Sequence, residues 1–507
     1  MKGMITLAAA FMLLGTGMAS ASIEPAGPVR AGMAAELNDA TLQLKQAFTD
    51  LNDGNYKKAV PELDTLIAAP GFSQLSTELR FQTLKIAAAI ALQHKNYAKA
   101  HRLAVRATGF AEADAGTWLG RLFSAFFIND NRDGALCVTT LAKQWPDRLD
   151  EVLPRGISTL HHALHVANED DVDQAMLTAL FDIHWQAELS TSDTLWRDLA
   201  LMLIEHHEHA RAAAVAKRIR AADTALSMRI DKRFDPITRI HPQAFDVGRL
   251  LTAQIQAARA RIKAHPDQLK PVQRLQELLI DKGQTAEVLA VSDAAVAHAE
   301  RGDGEQTYTD FDSSYSWVLN LRSDALAQEG RWDDAVREMT RAARRPEGGG
   351  MNVSQSINLA GLYADLNEPD KAAAAIVEPG GMTPYGSMQL HCVRLQIALE
   401  KNDTQAITAH MAYLRTHQID DIATWQRALL RHGDLDAAAA LLIQRLKNPD
   451  WRSSALVSLQ HYADGQQTPT MKAAEERWNT VRSRPDVQAA VANVGRIGHF
   501  DMTAPAY

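Results

Sequence analysis

The chain has 507 residues, of which 46% are hydrophobic and 22% are charged. Its length exceeds what one hydrophobic core usually supports, and its composition excludes a disordered or collagen-like chain. The formal net charge of -8 argues against a nucleic acid as partner, because surfaces that bind nucleic acids are basic.

The first predicted element is a secretory signal at residues 1–21. Lys2 gives it a positive start, an apolar run extends from Ile5 to Leu14, and small residues precede a cleavage site after Ala21. The apolar run is shorter than the roughly 20 residues that a membrane span needs. We therefore predict a cleaved signal, a periplasmic or secreted protein, and no transmembrane segment once the signal is removed.

A flexible lead-in is predicted at residues 22–32, and helices are predicted from about Met33. From there one frame recurs, in which a helix breaker precedes a small residue on the buried stripe of the next helix. The recurring positions are Ala59, Ala100, Ala135, Ala175, Ala212, Val288, Ala335, Ala372, Ala406 and Ala438. Intervals of about forty residues predict stacked helix pairs, because one pair cannot bury its apolar stripe alone. The predicted fold is an all-α solenoid of about ten helix pairs, divided into arrays at 33–222 and 244–447.

The clearest unit spans residues 317–345. Leu319 and Leu326 lie on one face of its first helix, and Gly330 ends that helix. Ala335 on the second helix is small, so the two helix backbones can approach closely.

Two units carry a resemblance to the tetratricopeptide repeat (TPR) family. The matching residues are Trp196, Leu199, Ala200, Leu203, His209 and Ala212 in one unit, and Leu319, Ser323, Leu326, Gly330, Trp332 and Ala335 in the other. Arg322 departs from the pattern where the family has Leu, and Pro369 replaces the turn aromatic. The resemblance covers about residues 33–447 and implies a right-handed α-α superhelix whose first helices line a groove.

The arrays are interrupted at residues 223–243, where Pro236 and Pro242 forbid a continuous helix. We predict an irregular, extended or looped joint. It is dense in ionisable side chains, which are Arg229, Arg233, Asp235, Arg239 and His241. A salt-bridged hinge and an anion or partner site both stay open for it, since Arg forks suit carboxylates and phosphates. Residues 448–507 fall outside the frame and are predicted to form cap helices and a tail.

The resemblance to the TPR family also implies which side chains line the groove. These candidates are Trp317, Asn320, Asp324, Gln328, Lys270, Gln273, Glu277 and Arg197. Trp317 beside amide side chains would anchor a peptide, although it could instead pack against a neighbouring repeat. Asp324 and Glu277 argue against an acidic peptide tail as the ligand.

The sequence offers no clear catalytic, cofactor or metal site. Zinc sites usually need three or four convergent ligands, and His161 and His165 offer only a pair on one helix face. A second histidine cluster, at residues 206–209, does not match the helical zinc motif either, because Arg211 stands where the motif needs its second His. We expect no cofactor and predict an exported, non-catalytic scaffold that binds a protein or an extended peptide in the cell envelope. The alternatives are a subunit that handles a polysaccharide or cell-wall glycan, and an enzyme that uses the charged joint at 229–241.

Overall fold

A computed structural model describes residues 31–186, 192–301, 307–346, 352–376, 381–463 and 465–503. The described chain is α-helical, with short 3-10 segments and two isolated β-bridges. It divides into two compact units, Met1–Met202 and Leu203–Tyr507, so the segment predicted as a joint lies inside the second unit. No described helix is long and apolar enough to cross a membrane.

The first unit is built from antiparallel helix pairs in chain order. Its helices are α1 (Ala31–Asn52), α2 (Tyr56–Ala68), α3 (Thr77–Gln93), α4 (Tyr97–Ala107), α5 (Ala115–Ile128), α6 (Asn131–Gln144), α7 (Pro154–Val166), α8 (Asp170–Asp182) and most of α9 (Ser192–Glu205). Each helix packs mainly on helices one or two places away in the chain, for example α4 on α3 and α5. Such local packing is typical of a repeat array.

The second unit continues with helices of 4 to 18 residues. They are α10 (His209–Ala216), α11 (Ala222–Ile230), α12 (Asp235–Thr238), α13 (Val247–Ala264), α14 (Lys270–Asp281), α15 (Thr285–Arg301), α16 (Phe311–Gln328), α17 (Trp332–Ala343), α18 (Val353–Asp365), α19 (Pro369–Ala375), α20 (Pro384–Glu400), α21 (Thr404–Thr416), α22 (Ile422–His432), α23 (Leu435–Lys447), α24 (Pro449–Ser458), α25 (Pro469–Arg482) and α26 (Pro485–Val494). The prediction of an all-α array of helix pairs is confirmed.

Ten hairpin turns in the described chain share one backbone geometry. Each has a residue with positive φ just after the first helix, and the next N–H donates to the carbonyl five residues before it. The residues with positive φ are Gly54, Lys95, Asn129, Asn168, His207, Gly283, Gly330, Asn367, Asn402 and Gly433. This is the Schellman arrangement, which satisfies carbonyls that a helix end leaves open.

The small position of each pair lies five residues after this turn residue. It is fully buried at Ala59, Ala100, Ala212, Val288, Ala335, Ala372 and Ala438, as predicted. In three pairs the residue five positions after the turn residue is Gly134, Asp173 or Ile407. The predicted Ala135 is one position from it and is still fully buried, whereas the predicted Ala175 and Ala406 are not buried.

The turn geometry predicts the effect of two substitutions. We expect Lys95→Gly to raise the free energy of unfolding by about 1 kcal/mol, because the exposed Lys95 has a φ of 60° that glycine adopts without strain. Gly433→Ala should lower it by about 1 kcal/mol, since a Cβ there meets no atom within 4 Å and only the φ of 89° opposes it. Urea unfolding would measure both. Lys45→Gly, inside α1, is the control and should destabilise; a shared sign for Lys45→Gly and Lys95→Gly would contradict this account.

The prediction of an irregular joint has to be corrected, because most of residues 223–243 are helical. Helix α11 covers its first part, a 3-10 turn follows at Lys232–Phe234, and α12 comes next. Pro236 lies in the first turn of α12. Backbone N–H groups in a first turn have no intrahelical acceptor, so proline, which lacks the N–H, costs no hydrogen bond there. Proline therefore starts a short helix here, and does not prevent one.

The C-terminal segment does more than cap the last pair. We call residues 465–503 the C-terminal strap. The guanidinium of Arg477 donates to two carbonyls at the end of α22, and Thr503 donates to two carbonyls at the end of α14. Arg496 bonds to α11 and α12. The strap thus ties helices across much of the second unit by satisfying helix-end carbonyls.

Candidate functional site

Most predicted groove residues lie on two neighbouring helices of the second unit. Helix α14 carries Lys270, Gln273 and Glu277, and α16 carries Trp317, Asn320, Asp324 and Gln328. Helices α14 and α16 pack against each other. Arg197 lies on α9 in the first unit and is described separately below.

Asn320 is the centre of a hydrogen-bonded row. Its Nδ2 donates to Oδ2 of Asp324 at 2.9 Å, and its Oδ1 accepts from Nδ2 of Asn358, on α18, at 2.8 Å. These hydrogen bonds link two helix pairs. Asn320 is only 5% exposed, so its amide is not available to a partner, contrary to the prediction. The sequence reasoning missed Asn358, although its position one repeat after Asn320 was a usable signal.

Asp324 is the most unusual groove residue. Burial raises the pKa of its carboxyl to about 7, although the hydrogen bond from Asn320 opposes that rise. No Lys or Arg among the described residues forms an ion pair with it. A carboxyl in this state holds a proton near neutrality and would gain from a cation supplied by a ligand.

The corresponding stripe on α14 is also acidic. Gln273 and Arg274 both donate to Glu277, at 3.1 and 3.0 Å. Burial raises the pKa of Asp281 to about 6; Arg274 opposes this shift, and Asp223 and Glu277 add to it. Residues 273, 277 and 281 follow helical spacing, as do 320, 324 and 328. We call these two sets the first-helix stripes.

The remaining groove candidates contribute less. Trp317 and Gln328 are half-buried, so Trp317 is neither a fully exposed anchor nor a core residue. Lys270 is exposed at the start of α14, where its backbone N–H donates to Asp310.

The charged joint forms closed ion pairs. Arg233 pairs with the buried Asp231 at 2.7 Å, and Asp235 forms ion pairs with Arg239 at 3.3 Å and with Arg496 at 2.8 Å. Arg496 lies 261 residues from Asp235 and was not among the predicted joint residues. This arrangement matches the salt-bridged interpretation of the joint, in which Arg496 of the C-terminal strap supplies one of the partners.

The other two joint candidates make no ion pair within the described chain. Arg229 donates to the carbonyl of Phe245 at 3.4 Å, and its own carbonyl accepts from Arg496. His241 is exposed. The ion pairs of Arg233 and Asp235 are the arrangement under which the enzyme alternative loses support.

Arg197 belongs to a buried network in the first unit. It donates to Asp198, which also contacts Nε2 of His161 at 3.2 Å, while Nδ1 of His161 contacts Asp173 at 2.8 Å. Burial opposes a charge on His161, but the two carboxylates raise its pKa to about 9. Burial raises the pKa of Asp173, whereas Arg197 and His161 lower that of Asp198 to about 2 against the effect of burial. Arg197 thus supports packing in its own unit.

Comparison with known proteins adds little beyond the fold. No protein-family model and no curated protein matches the chain. A chain of the structure described as the APC/C hetero-tetramer Cut9-Hcn1 is similar over 90% of this chain and 96% of its own, with 13% identity and a TM-score of 0.28. One of Naa15/Naa10 bound to HypK-THB is similar over 87% and 73%, with 12% identity and a TM-score of 0.20. Superpositions this poor carry no functional information, so the TPR-like assignment rests on the ten hairpins themselves.

Proposed function

We propose that this divergent TPR-like chain is an exported, non-catalytic scaffold that binds a protein segment carrying Lys or Arg. The single observation that carries the proposal is Asp324, whose half-buried carboxyl has no cation among the described residues. A scaffold role is in keeping with an array of helix pairs, since such arrays present extended surfaces made of successive helices. The predicted signal at residues 1–21 supports export.

The two first-helix stripes favour a basic segment over an acidic one. Glu277, Asp281 and Asp324 place three carboxyl groups on adjacent helices, and only Glu277 accepts from an Arg in the described chain. A partner's ammonium or guanidinium group next to Asp324 would be attracted in an environment of low dielectric. It would also displace the proton that Asp324 holds near pH 7, so binding should strengthen as the pH rises through about 7.

Affinity capture from a cell-envelope extract tests the proposal. With the chain that begins at Ser22 as bait, Asp324→Asn is expected to lose the partners that the wild type retains, and capture by the wild type should weaken from pH 8 to pH 6. The control is Asp312→Asn, an exposed acid on the same helix. Identical partners with Asp324→Asn and wild type would refute the site, and a native protein that still begins at Met1 on N-terminal sequencing would refute export.

A further inference from the structure

A cleft of about 410 Å³ opens in the second unit, where α15 ends, α16 begins and α17 ends. Its apolar wall includes Phe311, Tyr315 and Leu319, and its polar rim includes Arg341, Arg344 and Arg345. This volume lies in the range of about 300–1,000 Å³ that is usual for small-ligand pockets. None of these residues belongs to the first-helix stripes or to the joint.

The three arginines of the rim are not equivalent. Arg341 is neutralised, because it donates to Glu338 at 2.9 Å and to Glu300 at 2.5 Å. By contrast, the guanidinium groups of Arg344 and Arg345 have no carboxylate or other acceptor within the described chain. Among the described residues, the cleft therefore carries more positive charge than its carboxylates balance.

Aromatic rings hold one of these free cations in place. The rings of Phe311 and Tyr315 stack with their centroids 4.7 Å apart. The guanidinium carbon of Arg345 lies 4.4 Å from the first centroid and 5.0 Å from the second. Such contacts engage the face of a guanidinium and leave its N–H groups able to donate to an anion.

Stabilisation of a helix end explains only part of this arrangement. Arg344 is the C-cap of α17, where a positive charge is favourable because of the helix dipole. That effect requires neither a cleft nor an aromatic wall, yet Arg345 lies over two stacked rings that line one. The combination of an apolar wall and unpaired guanidinium groups is a feature of sites for amphipathic anions.

We propose that this cleft binds an oxyanion, a carboxylate or a phosphate, carried on an apolar stem. The stem lies against the exposed edges of Phe311 and Tyr315, and the oxyanion accepts hydrogen bonds from Arg344 and Arg345. Guanidinium groups donate to both oxyanions in a forked geometry, so the chemistry of the site is the same for either. The proposal does not depend on the protein-binding role of the first-helix stripes.

Titration calorimetry with three probes tests the proposal on the full mature chain. The probes are N-acetylphenylalanine, its neutral primary amide, and phenyl phosphate. We expect saturable binding of at least one anion and binding of the amide that is weaker by about tenfold or more, because the amide cannot form a charge-assisted pair. Whichever anion binds more tightly identifies the source as a carboxylate or a phosphate.

Two cleft variants and one matched variant locate the site. Arg344→Gln and Arg345→Gln should each weaken the better anion by about tenfold. Arg337→Gln changes an exposed arginine on the same helix and should leave the affinity unchanged. Arg344 is exposed, and its side chain forms no hydrogen bond or ion pair with the described residues, so this variant decides the result if Arg345→Gln unfolds more readily. Absence of anion binding at millimolar concentrations, equal binding of acid and amide, or unchanged affinity in Arg344→Gln would each overturn the proposal.

Discussion

Replacement of His161 by alanine is expected to lower the free energy of unfolding of the first compact unit by about 3–5 kcal/mol. The imidazole stands between the carboxylates of Asp173 and Asp198. Asp173 is fully buried, and its Oδ1 already lacks a hydrogen-bond partner. Without His161 its second oxygen would lose its partner as well, and a buried carboxylate without compensation is among the costliest defects in a protein interior.

The same network predicts how stability depends on pH. The pKa of His161 is raised from 6.5 to about 9 by its carboxylate partners, so its contribution is fully present below pH 6.5 and is lost as the pH rises through 9. Urea midpoints of the wild type should therefore fall between pH 6.5 and 9. In His161→Ala this part of the pH dependence should disappear.

The adjacent His162 provides the matched control. It is exposed, and His162→Ala should leave both the midpoint and its pH dependence close to those of the wild type. A second control places alanine at position 173, the residue that most other pairs have at the corresponding position. His161→Leu combined with Asp173→Ala removes the buried pair together and should recover most of the stability lost in His161→Ala. Equal stability of His161→Ala and His162→Ala would contradict this account.

This network also shows where prediction from the sequence ended. The repeat and its turns were predictable because a turn residue, a helix start and a small residue lie within a few positions of one another. Helix α8 offers Ala175 as a small residue, but the buried position is Asp173. An acid can occupy that position because His161, on the preceding helix, contacts it. His161 is also paired with Asp198 on the following helix, and these contacts depend on packing that local spacing does not encode.

The candidate site was predictable to a similar extent. Helical spacing correctly placed Asn320 and Asp324 on one stripe of α16. Whether these side chains meet solvent depends on groups from the next helix pair, and Asn320 is buried and accepts a hydrogen bond from Asn358 on α18. In the joint the density of charge was visible, but the partner Arg496 comes from the far end of the sequence. Long-range partners of this kind leave no periodic signal.

Gly495 is the second position where we expect a large effect, because the C-terminal strap packs closely against Leu456 and Ile230 there. A Cβ at this residue would lie 2.5 Å from Cδ2 of Leu456 and 2.6 Å from the carbonyl oxygen of Ile230. Its φ of -158° is ordinary extended backbone, so the cost of a side chain is steric and not conformational. Gly495→Ala should lower the free energy of unfolding of the second unit by about 2–3 kcal/mol, because the carbonyl cannot move away without disturbing α11.

Comparison with two neighbouring variants separates this steric effect from the ion pair beside it. Arg496→Ala removes the bonds to Asp235 but keeps the close packing of Gly495. It should lower the free energy of unfolding by only about 1 kcal/mol, because the pair is partly exposed to solvent. Gly465→Ala lies in the same strap with no atom within 4 Å of its Cβ and should be nearly neutral. Urea unfolding should rank Gly495→Ala as the most destabilised, then Arg496→Ala, then Gly465→Ala. If Arg496→Ala were the worse of the first two, charge pairing and not close backbone packing would hold the strap against α11.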